Sequence, residues 1–282
     1  MFKISLTANR KEGLAEILEE LLVSSDKDVR QWEQTEDGKK TSVAFYSHFL
    51  RKARGIQKEL SSLGLKGVRV SIKEIRKRDW QEKWKRQLKP FQLTDRFDVV
   101  PLWHKRNYRK KKREPIFLDT TLAFGTGLHE TTRFLAQLVE QRIRKAATFL
   151  DVGTGTGILS IVAEKCGAGK VEACDISAQS VEVARKNFEI NRCRFFKLSV
   201  CNIRKSRNRK RYDFVAANLT SQDLMAVKRR LCALVKPGKH LAVSGISLSN
   251  LLVARKAFGG LPLKCLQVKK GKEWAALLFK HL

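Results

Sequence analysis

Apolar positions follow two rhythms along this chain, and the change of rhythm divides it. Phe2, Ile4 and Leu6 alternate with Lys3 and Ser5, as in a half-buried strand. Leu14, Ile17/Leu18 and Leu21/Leu22 then recur at helical spacing. A weak strand near Val29–Trp32 and a second at 42–46 flank the turn signal Glu36-Asp37-Gly38. Ala53, Ile56, Leu60 and Leu63 mark another helix, which stops at Gly64, and Val68, Val70 and Ile72 alternate again. The order βαββαβ predicts a small ferredoxin-like α+β domain over residues 1–76.

A connecting region, 77–118, follows. Trp80, Trp84 and Leu88 form one stripe of an amphipathic segment that Asp79 can cap and Pro90 ends, so a linker helix is expected there. Strand-like runs at 99–103 and 116–118 enclose Lys105 to Arg113, nine residues with seven positive charges. Such a run reads as an exposed hairpin tip or loop.

Beyond residue 119 short apolar strands alternate with amphipathic helices. Strands are expected at 148–152, 171–175, 195–198, 214–217 and 241–244. Helices are expected at 130–145, 158–165, 178–191, 222–234 and 248–258. This alternation predicts a mainly parallel sheet with helices on both faces, an α/β domain over 119–282. Residues 263–268 and 274–279 around Gly271 read as a closing hairpin.

Composition narrows the class of protein. With 282 residues and 43% hydrophobic residues, the chain has ample material for a buried core, which argues against disorder. No run approaches the ~20 apolar residues that span a bilayer, and the first residues lack a secretory h-region. A soluble, cytoplasmic protein with no membrane association is expected. Cys166, Cys174, Cys193, Cys201, Cys232 and Cys265 form no CxxC pair and have no His at zinc spacing, so they read as reduced structural thiols and no metal site is expected. The net charge of +30 changes the picture: it suits a polyanionic partner such as RNA or a ribonucleoprotein, or reflects a basic proteome. A second basic run, Arg204 to Arg211, precedes the strand at 214–217.

Four motifs carry candidate chemistry. The first is Asp151-Val152-Gly153-Thr154-Gly155-Thr156-Gly157-Ile158, a strand entering a glycine-rich turn that opens a helix. A dinucleotide fingerprint would need glycine at 158; the spacing present, GxGxG, is the form of S-adenosylmethionine sites. Second, Asp175 ends the next strand, 22 residues beyond Gly153, where a carboxylate can bind ribose hydroxyls or cap the following helix. Third, Phe124, Gly125 and Gly127 form a loop ahead of His129, Thr131 and Thr132, with His129 read as a structural hydrogen-bonding residue. Fourth, Asn218 ends the strand Val215-Ala216-Ala217, where an amide can face a substrate amine or simply terminate the strand.

Together these stretches resemble one family, the lysine methyltransferases of large-subunit ribosomal protein eleven. The resemblance rests on LAFGTGLHETT at 122–132 (Glu130 standing where the family has Pro), DVGTGTGILSI, Asp175, the AANL of 216–219, Asp79-Trp80…Trp84…Pro90, Ser244-Gly245-Ile246 and Glu273-Trp274. It implies a ferredoxin-like domain that recognises the ribosomal protein, and a Rossmann-like class I domain that binds S-adenosylmethionine. It implies cofactor contacts at Thr132, Gly153, Asp175 and Asn218, with Phe124, Gly125 and Gly155 beside them. With a methyl donor there, Asn218 and neighbouring backbone carbonyls are expected to orient the amine. With the ribosomal protein as substrate, rRNA or ribosome contact through Lys105–Arg113 and Arg204–Arg211 is expected. The charge leaves two alternatives: an RNA methyltransferase, or a non-catalytic ribosome-binding factor on the same fold. An N5-glutamine methyltransferase would carry NPPY from position 218, and Leu219-Thr220 stand there instead.

Overall fold

In the first part of the chain the period-2 apolar positions fall into register across neighbouring strands. The structure, a computed structural model, describes residues 2–9, 32–37, 40–47, 50–62, 68–74, 88–109, 112–119, 125–207 and 209–282. They belong to two compact units, Met1–Gln87 and Leu88–Leu282. In the first, β1 (Phe2–Asn9), β2 (Trp32–Asp37), β3 (Lys40–Ser47) and β4 (Val68–Glu74) form an antiparallel sheet in the order β2-β3-β1-β4. Ile4 lies opposite Phe45 and Ile72, and Leu6 opposite Val43 and Val70, so the apolar positions of three strands coincide. Helix α1 (Leu50–Ser62) packs on β1, β3 and β4. This is the strand order of a split ferredoxin-like sheet. The stripe at 14–22 and the linker segment 79–87 lie outside the described residues.

Of the weak strand expected near Val29–Trp32, residues 29–31 lie outside the described residues; β2 runs from Trp32 to Asp37, through Glu33, Gln34 and Glu36. Pairing with β3 overrides the poor propensity of these residues, and a sheet edge tolerates their charge.

The second unit begins with a small three-stranded sheet, and here the basic run 105–113 corrects the hairpin reading. A short strand, β5 (Phe91–Gln92), pairs with β6 (Phe97–Pro101). β6 and β7 (Glu114–Leu118) pair in parallel, Phe97 opposite Glu114 and Pro101 opposite Leu118, so the chain between them must cross back to its starting end. It does so through a 3₁₀ turn at Leu102–Asn107, which also shortens the strand expected at 99–103. The run is not wholly free in solvent: Tyr108 donates to Asp98 (3.2 Å), Arg113 pairs with Asp98 (3.8 Å) and Lys105 sits over the Phe117 ring.

A seven-stranded sheet forms the body of this unit. Its strands are β8 (Thr148–Val152), β9 (Lys170–Asp175), β10 (Phe196–Val200), β11 (Tyr212–Asn218), β12 (Val235–Ser247), β13 (Leu263–Lys270) and β14 (Trp274–His281). The order is β10-β9-β8-β11-β12-β14-β13, with only β14 antiparallel to its neighbours. The connecting helices are α2 (Glu130–Arg142), α3 (Ile158–Lys165), α4 (Ala178–Ile190), α5 (Ser221–Ala233) and α6 (Leu251–Gly259). Alternation along each strand feeds two cores. Phe149, Phe214 and Leu278 meet α2, α3 and Phe188 on one face, while Leu150, Val215 and Leu277 meet α5 and α6 on the other. The small sheet joins the first of these cores through Leu93, Phe97, Val99, Ile116 and Leu118. Each fully buried phenylalanine contributes roughly 1.5–3 kcal/mol by burial. The helix expected at 248–258 begins with a 3₁₀ turn at Leu248–Asn250 and becomes α-helical from Leu251. Among the described residues no helix is long and apolar enough to cross a membrane.

Candidate functional site

Strand order reverses between β8 and β11, and in an open α/β sheet the carboxyl ends of the strands at such a switch point form a crevice. The glycine-rich turn, Asp175 and Asn218 all lie at that edge. After β8 the turn takes positive φ at Gly153 (75°), Gly155 (54°) and Gly157 (82°), which glycine adopts without penalty. Gly153 and Thr154 donate to the Cys174 carbonyl (2.9 and 3.0 Å), which sets the turn against the end of β9. A Cβ at Gly153 would come 2.6 Å from the Leu219 side chain, so this glycine makes room for the chain after Asn218.

Asp175 is tied to the same turn. Its carboxylate accepts from the Gly155 amide (3.0 Å) and the Ser177 amide (2.9 Å). Ser177 caps α4 by accepting from the Ser180 amide, so Asp175 is not the helix cap. Two of the roughly four acceptor positions of a carboxylate are thereby used. Ile176 follows with 73% of its surface exposed, an apolar side chain beside an acid at the crevice rim.

Asp151 is a functional candidate that residue patterns alone gave no role. It is buried, one carboxylate oxygen accepts from Thr154 and Ser160 (2.8 Å each), and the other has no partner among the described residues. Burial pushes its pKa up to about 6, against the two hydroxyl bonds and with help from the nearby Asp175 charge.

Asn218 and Thr132 are brought together from positions 86 residues apart. The Asn218 side-chain amide donates to the Thr132 hydroxyl at 3.2 Å, joining the end of β11 to the start of α2. Gly245 makes room for the backbone just after Asn218. It sits at φ 94° in a bulge of β12, and a Cβ there would land inside the Leu219 carbonyl. A lone glycine inside a strand pattern was the available signal for such a bulge.

The loop ahead of α2 is anchored at several points. Thr156 donates to the Gly125 carbonyl (2.5 Å), holding that loop on the glycine-rich turn. The buried Asn187 donates to the Thr156 carbonyl (2.9 Å) and accepts from the Asp119 amide (2.7 Å). His129 caps α2 and packs edge-on against Trp274 with ring centres 5.1 Å apart, the structural role expected of it. Glu130 accepts from the Lys272 amide (3.1 Å), and that bond, with others from the 273 and 274 amides, holds its carboxyl below the usual range. The glutamate therefore pins the β13–β14 turn to the start of α2. Phe124 lies outside the described residues.

Comparison with known proteins places the chain in a family. The model of the family described as ribosomal protein L11 methyltransferase (PrmA) matches residues 3–281, and the chain belongs to that family. It is similar to the ribosomal protein L11 methyltransferase of Acetivibrio thermocellus, at 36% identity over 220 residues, which is 74% of this chain and 66% of that protein. The Burkholderia mallei relative of the same name is 37% identical over 178 residues, 63% of this chain and 57% of its own length. The chain thus spans less than two thirds of each of these relatives. Among solved structures, the ribosomal protein L11 methylase of Lactobacillus delbrueckii subsp. bulgaricus matches with a TM-score of 0.63 at 29% identity, covering 69% of this chain and 99% of that one.

Proposed function

We propose that this chain transfers methyl groups from S-adenosylmethionine to lysine side-chain amines of ribosomal protein L11, with N-terminal amines as a further target. The observation that supports it best is the convergence, at one crevice, of Asp175 against the glycine-rich turn and of Asn218 against Thr132. The residues present fit the cofactor. Gly153, Gly155 and Gly157 offer a backbone without side chains, and Asp175 keeps acceptor positions for two ribose hydroxyls while holding the turn. Ile176 offers an apolar flank for a purine. Thr132 and Asn218 supply polar contacts, with Gly125 in the loop held on the glycine-rich turn.

When bound, S-adenosylmethionine supplies a methyl group already activated by its sulfonium. What remains for the chain is placement and the state of the amine. A lysine of ordinary pKa ~10.4 is protonated at neutral pH and must lose a proton to become a nucleophile. The Asn218 side-chain carbonyl accepts from the neutral amine and orients its lone pair, and the released proton passes to solvent. Residues 1–76 are read as the substrate-recognition domain, 77–118 as the linker, and 119–282 as the transferase. With a ribosomal protein as substrate, the reaction belongs in the cytoplasm, and rRNA contact through 105–113 and 204–211 belongs to the same reading.

Incubation with methyl-tritiated S-adenosylmethionine tests this. Label on purified L11, recovered as methyl-lysine, is the expected result. Label on rRNA alone would make the chain an RNA methyltransferase, and cofactor binding without transfer to either would make it a non-catalytic factor.

A further inference from the structure

The connection between β10 and β11 departs from the rest of the sheet. Helices link β8 to β9, β9 to β10, β11 to β12 and β12 to β13, but none of the described residues between β10 and β11 is helical. One face of β9 and β10 is left without a helix. A cavity of about 290 Å³ lies there, lined by Leu150, Glu172, Cys174, Lys197, Ser199 and Lys210 among others. β10 is the outermost strand of the sheet, with Lys197, Ser199 and Val200 exposed.

The fold also gathers charge at this edge. Arg194 and Lys197 on and before β10 join Arg204, Lys205, Arg207 and Arg209 of the connection, all exposed. None of these six cations meets a carboxylate among the described residues. The nearby acids are committed elsewhere: Glu164 accepts the amides of Arg194 and Phe195, and Glu172 serves Lys170, Lys210 and Tyr212. Phe195, 58% exposed, stands between Arg194 and the strand. By contrast, the run at 105–113 is partly engaged by Asp98 and Phe117.

We propose that the β10 edge and the connection after it form a docking surface for single-stranded RNA. Unpaired cations attract phosphates by releasing condensed counterions, and an exposed aromatic ring gives one base a face on which to stack. A duplex keeps its bases stacked internally and cannot use Phe195 in this way. RNA, rather than another polyanion, rests on the ribosomal substrate proposed above; the binding itself requires no methyl transfer.

Filter binding of a 20-nucleotide oligouridylate to the full chain, at salt from 50 to 400 mM, tests this. The variant combining Arg204→Ser, Lys205→Ser, Arg207→Ser and Arg209→Ser should bind at least about tenfold more weakly at 100 mM salt. Its log–log salt slope should fall by roughly 2–3, at about 0.7 for each phosphate no longer neutralised. Phe195→Ala should weaken binding several-fold with an unchanged slope, because stacking releases no ions. Arg109→Ser with Lys112→Ser, in the other basic run, should weaken binding and lower the slope by less than the fourfold variant does, since Asp98 and Phe117 already engage part of that run. Calorimetric affinity for S-adenosylmethionine should stay constant throughout, so failed methyl transfer with RNA binding intact would count against the proposed function and not against this surface. Equal affinity and slope for parent and fourfold variant would overturn the proposal, as would tighter binding of duplex RNA than of the single strand. Stronger retention on vesicles containing 30% phosphatidylglycerol than on RNA would overturn it in favour of a lipid surface.

Discussion

The two edges of the large sheet treat their carboxylates in opposite ways. At the amino edge, Asp213 opens β11 and accepts from the Thr148 amide (2.9 Å), the Thr148 hydroxyl (2.7 Å) and Lys236 (2.8 Å), with Lys239 at 3.5 Å. Burial alone would raise its pKa. The bonds from Lys236 and Thr148 outweigh burial and hold it well below the usual carboxylate range. At the carboxyl edge, Asp151 is buried with one oxygen unpartnered and its pKa pushed up to about 6. Asp175 beside it accepts from two backbone amides. One edge uses its acceptors to hold strands together; the other keeps acceptors open. A buried polar group without a partner costs stability, which sets Asp151 apart from the fully engaged Asp213.

That contrast can be broken most forcibly at Gly245. Gly245→Ala should destabilise the second unit by about 3–5 kcal/mol, through positive-φ strain and collision with the Leu219 carbonyl. Thermal unfolding with calorimetric titration of the cofactor would check it, and both stability and binding should fall. Asp213→Ala comes next. It should cost about 2–3 kcal/mol of stability, by leaving the Thr148 amide and Lys236 without their acceptor, while cofactor affinity stays at the parent value. Loss of binding in that variant would erase the distinction between the edges.

Acid titration separates the two carboxylates by sign. A carboxyl with a depressed folded pKa, such as Asp213, contributes stability above its unfolded value and loses it as pH falls through the folded value. Asp151 is raised, so its contribution is full below about pH 4 and is lost as pH rises through about 6. Asp151→Asn should therefore remove a decline of roughly 2–3 kcal/mol between pH 4 and 6, measured by denaturant unfolding across that range. Parent and variant curves that run parallel would contradict the assignment. The smallest effect belongs to Glu130→Gln, which should lower stability by less than about 1 kcal/mol, since the bond to the Lys272 amide is near the surface.

Much of this edge was readable in the residues. Glycine spacing, an acid at the end of the next strand and an asparagine after an apolar run each follow from local chemistry, and the strand at 148–152 and helix at 158–165 fall where their periodicity puts them. What was not readable depends on pairing between distant segments. The parallel β6–β7 register turned an apparent hairpin into a crossover, and β3 drew the polar segment Trp32–Asp37 into a strand. Neither the Thr132–Asn218 bond nor the grip of Glu130 on residue 272 has a local signature. Asp151 was visible only as part of a motif, because its open oxygen is a property of burial.

The most direct measurement is calorimetric titration of S-adenosylmethionine into the parent chain and into Asp175→Ala, each first shown folded by thermal unfolding. Loss of charge-assisted hydrogen bonds to the ribose should weaken binding by about 1–3 kcal/mol, roughly five- to 150-fold. Unchanged affinity in a folded Asp175→Ala protein would contradict the assignment of the carboxyl edge as the cofactor site.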